Sequence, residues 1–514
     1  MAKHQPPIQL RVIQHDRYQL EFKLSYRLSP EKRTRYRITT YMFAPLSLDI
    51  NSSTYSRADF YRDVQSYIRV KTPEMSLRRM AGNPASPLAV MDEILATQDW
   101  MRSVELTQQL VDSFKFLRAM LKTTLRSRLA KLRRKAKQWK AEREAEVVSA
   151  KVAKQVQRLL DELSAITKRY REIGPQLNQP GVDHVAIQSY RLTDESISLL
   201  VEATLVECFR QTKRYVDEPV CSQLAARICQ LNGDEIYRRQ SLGYPLVLQK
   251  DSDNEEFLYW ASVLKKFTSS VLYLSTSVRR EGGTLEQFLF AIAAGIAMAV
   301  ATMLTFHYQQ KYPQYTFALL FAFVMVYMVK DRLKEGSKLF FSRLLRNVLF
   351  DRRTVIRTMD GEHKLGFLRE KVTIGDESQA TPAAIVARNR QLITAIDNAG
   401  LGETVIRYSK TVTLYRDAFD APFAYGPDVT GIVDIMRYDV RPFLRKMANP
   451  SQRLTYLEGG KLRTALAHKV YPLNFVIVTS SQSDPQQRVY RRVRVMLDRK
   501  GIQRVEMLDD KVTG

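Results

Sequence analysis

Two apolar runs constrain this chain more than anything else in it. From Phe288 to Phe306, 19 residues pass without a charged side chain. As a helix rising about 1.5 Å per residue they reach about 28 Å, close to the roughly 30 Å hydrocarbon core of a bilayer. A second run, Tyr315 to Val329, reaches about 22 Å, or about 27 Å counted from Tyr312 with tyrosines at its outer end. Each run carries eight Phe, Leu, Ile or Val residues and no Asp, Glu, Lys or Arg. Each apolar residue favours insertion by roughly 0.3–0.6 kcal/mol and each absent charge avoids about 2.5–3.5. The spacing predicts a two-span transmembrane helical hairpin over residues 285–330.

The hairpin also predicts an orientation. Its connector, HYQQKYPQ, holds one lysine, whereas Arg279 and Arg280 precede the pair and Lys330, Arg332, Lys334 and Lys338 follow it. The excess of positive charge on cytoplasmic loops places both termini in the cytoplasm of a cell-membrane protein. Ala291, Gly295 and Ala299 on the first span, with Ala318 and Ala322 on the second, form small faces that let backbones approach. They are expected either to pack the two helices together or to mediate a homo-oligomer. The only polar side chains inside the spans are Thr302, Thr305 and Thr316, a poor basis for a proton relay or ion pathway.

The rest of the 514 residues is strongly basic, with 80 Lys and Arg against 54 Asp and Glu, a net charge of +26. That is ample material for further domains. The start, MAKHQPPIQLRVIQHDR, has no apolar core of signal-peptide type, so the hairpin is the expected targeting element. Cys208, Cys221 and Cys229 have no metal-ligand spacing and read as reduced, packed thiols.

An N-terminal small antiparallel β module with a helix is expected over residues 1–75. Leu20, Phe22, Leu24, Tyr26 and Leu28 alternate with polar residues, TRYRITTYMF alternates again, and a helix follows near Arg57–Val70. Residues 76–175 read as a long basic helical region. Between Pro87 and Gly174 lie 86 residues without glycine or proline, and Val152, Val156, Leu159, Leu163, Ile166, Tyr170 and Ile173 follow the spacing of a coiled coil. The helix either runs unbroken from Ser103 to Ile173 or folds back near AEREAE. Residues 176–284 form a helical region leading to the membrane, ending in a helix from Asn254 to Arg280. Residues 331–353 form a basic amphipathic helix suited to the interface, and 354–514 form a cytoplasmic α+β domain. The fold class is thus an integral membrane protein of mixed α/β composition.

The one polar feature that chooses a partner lies at Ser113–Ala141, with eleven basic residues and no acidic one. On a helix, Lys115, Arg118, Lys122, Arg126, Arg133, Lys137 and Lys140 fall on one stripe beside Leu117, Leu121, Leu125, Leu129 and Leu132. A stripe of a single sign suits an anionic surface, either phospholipid head groups or nucleic-acid phosphates.

No phosphate-binding loop, dinucleotide fingerprint, HExxH, GxSxG or paired CxxC occurs, so neither a catalytic residue nor a cofactor is assigned and a non-enzymatic role is favoured. Asp417, Asp420 and Asp428 cluster in a loop of ordinary turn composition. The sequence points to an adaptor or scaffold on the inner membrane face that binds anionic lipid or another polyanion through the basic helix. The competing readings are a membrane-tethered nucleic-acid-binding protein, an enzyme without a short motif, and a pore-forming effector.

Overall fold

The computed structural model describes residues 8–508 apart from 98–99, 143, 245–247, 249, 312–316, 390–401, 421–428 and 482–483. Two antiparallel sheets are built from both ends of the chain. The smaller has the order β1 (Ile8–Gln14), β2 (Gln19–Arg27), β9 (Gly431–Asp439), β4 (Val64–Val70). The larger runs β14 (Gly501–Leu508), β13 (Asp484–Asp498), β12 (Tyr471–Ser481), β3 (Arg33–Ala44), β8 (Thr404–Tyr415), β7 (Lys364–Gly375), β6 (Arg352–Arg357), β5 (Ser275–Arg280). Alternation sets each strand's inner face. In β3, Tyr36, Ile38 and Met42 enter the core while Arg35 and Arg37 point out. The facing sheets close over one apolar cluster in which Phe22 meets Phe475 edge-on at 5.4 Å. A separate hairpin, β10 (Ser451–Glu458) and β11 (Lys461–His468), stands off the body.

The N-terminal strands therefore do not form a module of their own. β2 pairs with β9, and β3 lies between β8 and β12. The helix expected over Arg57–Val70 is only α1 (Arg57–Asp63), capped by Ser56 with Asp59 as a capping box, and the chain then enters β4. Phe60, Val64, Tyr67 and Ile68 fit helical spacing as well, and pairing with β9 decides the outcome.

Between β4 and β5 the chain makes a helical unit of α2 (Leu77–Gly82), α3 (Pro87–Ala96), α4 (Val104–Glu142), α5 (Ala145–Arg171), α6 (His184–Tyr215), α7 (Val220–Ser241) and α8 (Glu255–Ser269). The long helix folds back: Arg128 pairs with Glu162, and Lys151 sits over the Trp139 ring, an antiparallel register for α4 and α5. The seven coiled-coil seam positions are buried within the chain's own bundle, beside Leu117, Leu121 and Leu125 of α4. Each Leu or Val sealed there contributes roughly 1.5–3 kcal/mol. Arg171 bridges Asp194 (3.2 Å) and Glu235 (2.7 Å), tying α5 to α6 and α7. The helix expected to run to Arg280 stops at Ser269 and gives way to β5, because β6 offers a partner strand.

Between β5 and β6 stand α9 (Gly283–Lys311) and α10 (Phe317–Val348), packed on one another. The basic segment expected as a separate interfacial helix is the second half of α10, unbroken from its apolar half. Two short helices, α11 (Pro382–Arg388) and α12 (Arg441–Leu444), complete the fold.

Candidate functional site

The apolar hairpin grows out of one sheet edge. β5 and β6 pair antiparallel, so the chain leaves at Arg280 and returns at Arg352 directly opposite. Gly282 closes the root. It has φ +83°, and a Cβ there would stand 2.2 Å from Leu349 Cδ1. Among the described residues α9 is the one helix long and apolar enough to cross a membrane, and only 17% of its apolar window is buried. Phe288, Ile296, Met303 and Phe306 of α9, with Phe321, Tyr327 and Phe340 of α10, face outward uncovered. That is a far larger apolar surface than a soluble monomer ordinarily exposes.

On α9 the small face that packs in the hairpin is not the expected one, while on α10 the expected Ala322 is buried. Ala293, Ala297 and Ala301 are buried, with Ala322 and Val326 buried on α10, whereas Ala291, Gly295 and Ala299 are exposed. Both stripes repeat every four residues and lie about 200° apart on the helix, so spacing alone does not choose between them. The side chain of Ala318 and the connector Tyr312–Thr316 lie outside the described residues.

Four arginines mark the root. Arg279 stands opposite Arg353 and Arg280 opposite Arg352, pairings that repel. Partial relief comes from Arg280–Glu286 at 2.9 Å, from Arg352 stacked 4.0 Å over the Tyr61 ring, and from Arg353 4.6 Å over Phe367. An open cleft of about 650 Å³ lies here, lined by Arg57, Ala58, Tyr61, Val278, Arg280, Asp351 and Arg352. Asp351 accepts from Arg57 (3.1 Å) and Tyr61 (3.2 Å).

The basic stripe of α4 does not form one surface. Lys115 lies 4.9 Å over the Phe267 ring of α8, with Asp112 at 3.9 Å. Arg118 is buried and its Nε donates to Ser196 Oγ at 2.9 Å; burial pushes its guanidinium down to about 10. Lys122 is pushed down to about 8 by burial, then by Arg118, Lys265, Arg126 and Arg69. These three line the seam of α4 with α6, α8 and β4. Arg69 Nε there is buried with no hydrogen-bond partner. Arg126 is exposed, and Arg133, Lys137 and Lys140 project near the far end of α4, with Arg133 3.7 Å from Glu207. Arg69 and Lys265 have no sequence signal; they reach the seam through tertiary packing alone.

A second charged cluster, also illegible in sequence, is sealed between the sheets. Lys410 Nζ is 2.7 Å from Asp434 and 3.5 Å from Glu370, Tyr408 donates to Glu370, and Tyr26 lies 3.4 Å from Asp434. Burial works against the Lys410 charge, but Asp434 and Glu370 outweigh it and hold its pKa above the ordinary lysine value. The adjoining void, lined by Tyr408, Phe22 and Phe475 among others, measures about 10 Å³, room for a water and not for a substrate. This cluster acts as a structural ion network.

Among the described residues no three His, Cys, Asp or Glu side chains converge as a metal site. Asp428 lies outside those residues, and Asp417 and Asp420 sit on a short 3-10 turn. Cys208 and Cys221 are buried, and burial lifts the Cys208 thiol to about 12; Cys229 is exposed. Comparison with known protein families, with characterised proteins and with solved structures finds no match.

Proposed function

We propose that this chain is a membrane-anchored scaffold, with no reaction of its own, whose hairpin α9–α10 sits in the bilayer while its basic root grips anionic phospholipid on the cytoplasmic leaflet. The supporting observation is the pairing of β5 with β6, which makes both apolar helices emerge from one sheet edge between Arg279, Arg280, Arg352 and Arg353. Everything outside the hairpin then stands on one side of the membrane, and the basic flanks select the cytoplasmic side. Near an anionic leaflet each cation contributes roughly 1 kcal/mol, so four add about 4 kcal/mol to the apolar anchoring.

In this reading α9 crosses the bilayer and α10 returns beside it. The apolar half of α10, Phe317–Val329, is about 20 Å long as a helix. Its crossing is completed by tilt and by Lys330, Lys334 and Lys338, whose long stems lie along apolar surface while their ammonium groups reach the head groups. Lys330 Nζ lies 3.9 Å from the Tyr327 ring and Lys338 Nζ 5.9 Å from that of Phe290.

The protein is expected to stay in the membrane pellet through high-salt and carbonate washes, and a reporter fused after Gly514 is expected to be active in the cytoplasm. Release by salt alone refutes the anchor; activity only outside the cytoplasm refutes the orientation. A nucleic-acid tether is the second reading, favoured by the exposed Arg133, Arg134, Lys135, Lys137 and Lys140. It predicts that the purified protein binds duplex DNA with a salt slope of about 0.9 per phosphate contact.

A further inference from the structure

The outer face of the larger sheet holds a pocket of a different character from the membrane root. Its floor and walls come from β3, β8, β12, β13 and the start of α11, and it measures about 480 Å³, within the size range of small-molecule sites. Arg35, Arg37, Arg407 and Arg488 line it, together with Thr39, Thr381, Ser480, Ser481, Tyr41, Tyr490 and Val478. Among the described residues no acidic side chain is in that lining.

Some arginines elsewhere on the β domain have found carboxylates: Arg437 with Glu21 at 2.9 Å, Arg369 with Glu281 at 2.8 Å, Arg57 with Asp351 at 3.1 Å. Among the described residues none of the four pocket arginines forms an ion pair. Like charges gathered on one sheet face destabilise it. An anion seated among them would relieve that repulsion.

The pocket is also built. Arg388 of α11 grips Glu403 with two hydrogen bonds, 3.1 and 3.0 Å, both side chains buried. This fixes α11 over Tyr41, Phe43, Val405, Val476 and Tyr490, which make a small apolar cluster with Ala380, Ala384 and Ala387. Tyr41 and Tyr490 are consequently sealed, at 3% and 5% exposure, and offer no ring face on which a base could stack. Register places Arg407 directly across from Tyr41, and Thr39 between Ser409 and Val478. Guanidinium forks beside hydroxyls, without stacking surface, match clustered phosphate oxygens.

We propose that this sheet-face pocket binds a compact polyphosphate, a ligand carrying several phosphate groups on a small scaffold, through Arg35, Arg37, Arg407 and Arg488. The ligand is either free in solution or the head group of a phosphorylated lipid.

The test uses the full-length protein in phosphatidylcholine nanodiscs, titrated calorimetrically with tripolyphosphate, ATP and inositol hexakisphosphate. Saturable binding of at least one probe is expected, weakened at least tenfold in R37Q/R407Q. The charge-matched control R453Q/K461Q, on the detached β10–β11 hairpin, is expected to change affinity less than twofold. Removing two repelling charges should leave the unliganded thermal midpoint unchanged or higher. Should R37Q/R407Q fail to fold, R35Q/R488Q, at exposed rim positions, carries the same expectation. Nanodiscs containing phosphatidylinositol bisphosphate then identify the source: loss of the soluble probe's binding in those discs points to a head group, and its persistence points to a free ligand. No saturable binding by any of the three probes overturns the proposal, as does unchanged affinity in the arginine variants. Displacement of the probes by a tighter-binding single-stranded oligonucleotide overturns it too, in favour of a nucleic-acid track.

Discussion

Replacing Lys122 by methionine should stabilise the helical unit. Lys122 stands among Arg118, Arg126, Lys265 and Arg69, and burial followed by these charges lowers it from 10.5 to about 8. That drop corresponds to roughly 3 kcal/mol, which partial exposure and solvent screening reduce to about 1–2 kcal/mol. Methionine keeps the unbranched stem and removes the charge. The three tryptophans, Trp100, Trp139 and Trp260, all lie in this unit, so their fluorescence reports its melting separately from the sheets. At pH 7 the variant should melt about 3–6 °C above the parent. The sign with pH follows from a folded-state pKa below the unfolded one. Below pH 8 the lysine is charged in both states and the full penalty is present. Between pH 8 and 10.5 the unfolded chain binds more protons, so the parent gains stability and the advantage of methionine shrinks. A variant no more stable than the parent at pH 7, or an advantage undiminished at pH 9.5, would refute the cationic seam.

Gly282→Val should cost about 1–3 kcal/mol through its positive φ and its collision with Leu349, read as faster tryptic cleavage at Arg279 and Arg280; adding Leu349→Ala should restore only the steric part. Lys410→Met leaves Asp434 and Glu370 buried without their cation and should destabilise the β domain by about 3–5 kcal/mol, measured as a lower urea midpoint by circular dichroism. Glutamine at Arg279, Arg280, Arg352 and Arg353 together should leave the protein carbonate-resistant while abolishing its preference for vesicles containing phosphatidylserine over neutral ones, measured by flotation after reconstitution.

Strands with one buried face were legible because their period is 2: Leu20 to Leu28 and Thr34 to Phe43 announced β2 and β3 without any knowledge of their partners. The partners were not legible. Nothing in the alternation of β3 says that β8 and β12, 360 or more residues away, will flank it. The errors at β4 and β5 share one cause. Phe60, Val64, Tyr67 and Ile68, and again Phe267, Val271, Leu274 and Val278, satisfy helical spacing, and only the presence of β9 and β6 converts each segment to strand. For the basic stripe, periodicity located the helical face, but it could not say that α6 and α8 would cover the first half. Arg118 thereby became a buried group of a packed seam and Lys115 a half-buried one, while Lys137 and Lys140 stayed in solvent.

The arginines at the hairpin root admit two explanations, protection of a sheet edge and the proposed seating among head groups, and their positions favour the second. β5 is an edge strand of the larger sheet, with all but its first residue exposed, and charge on such a strand guards against pairing with another chain. That accounts for Arg279 and Arg280. It does not account for Arg352 and Arg353, which lie on β6, already paired on both sides by β5 and β7, where opposed like charges only weaken the ladder. Adjacent strand residues point to opposite faces, so the four together present positive charge on both faces of the sheet at the point where the apolar helices begin. Guarding an edge needs charge on one strand. Seating the root of a hairpin among anionic head groups needs it on every side of the stem, and this is the distribution β5 and β6 carry.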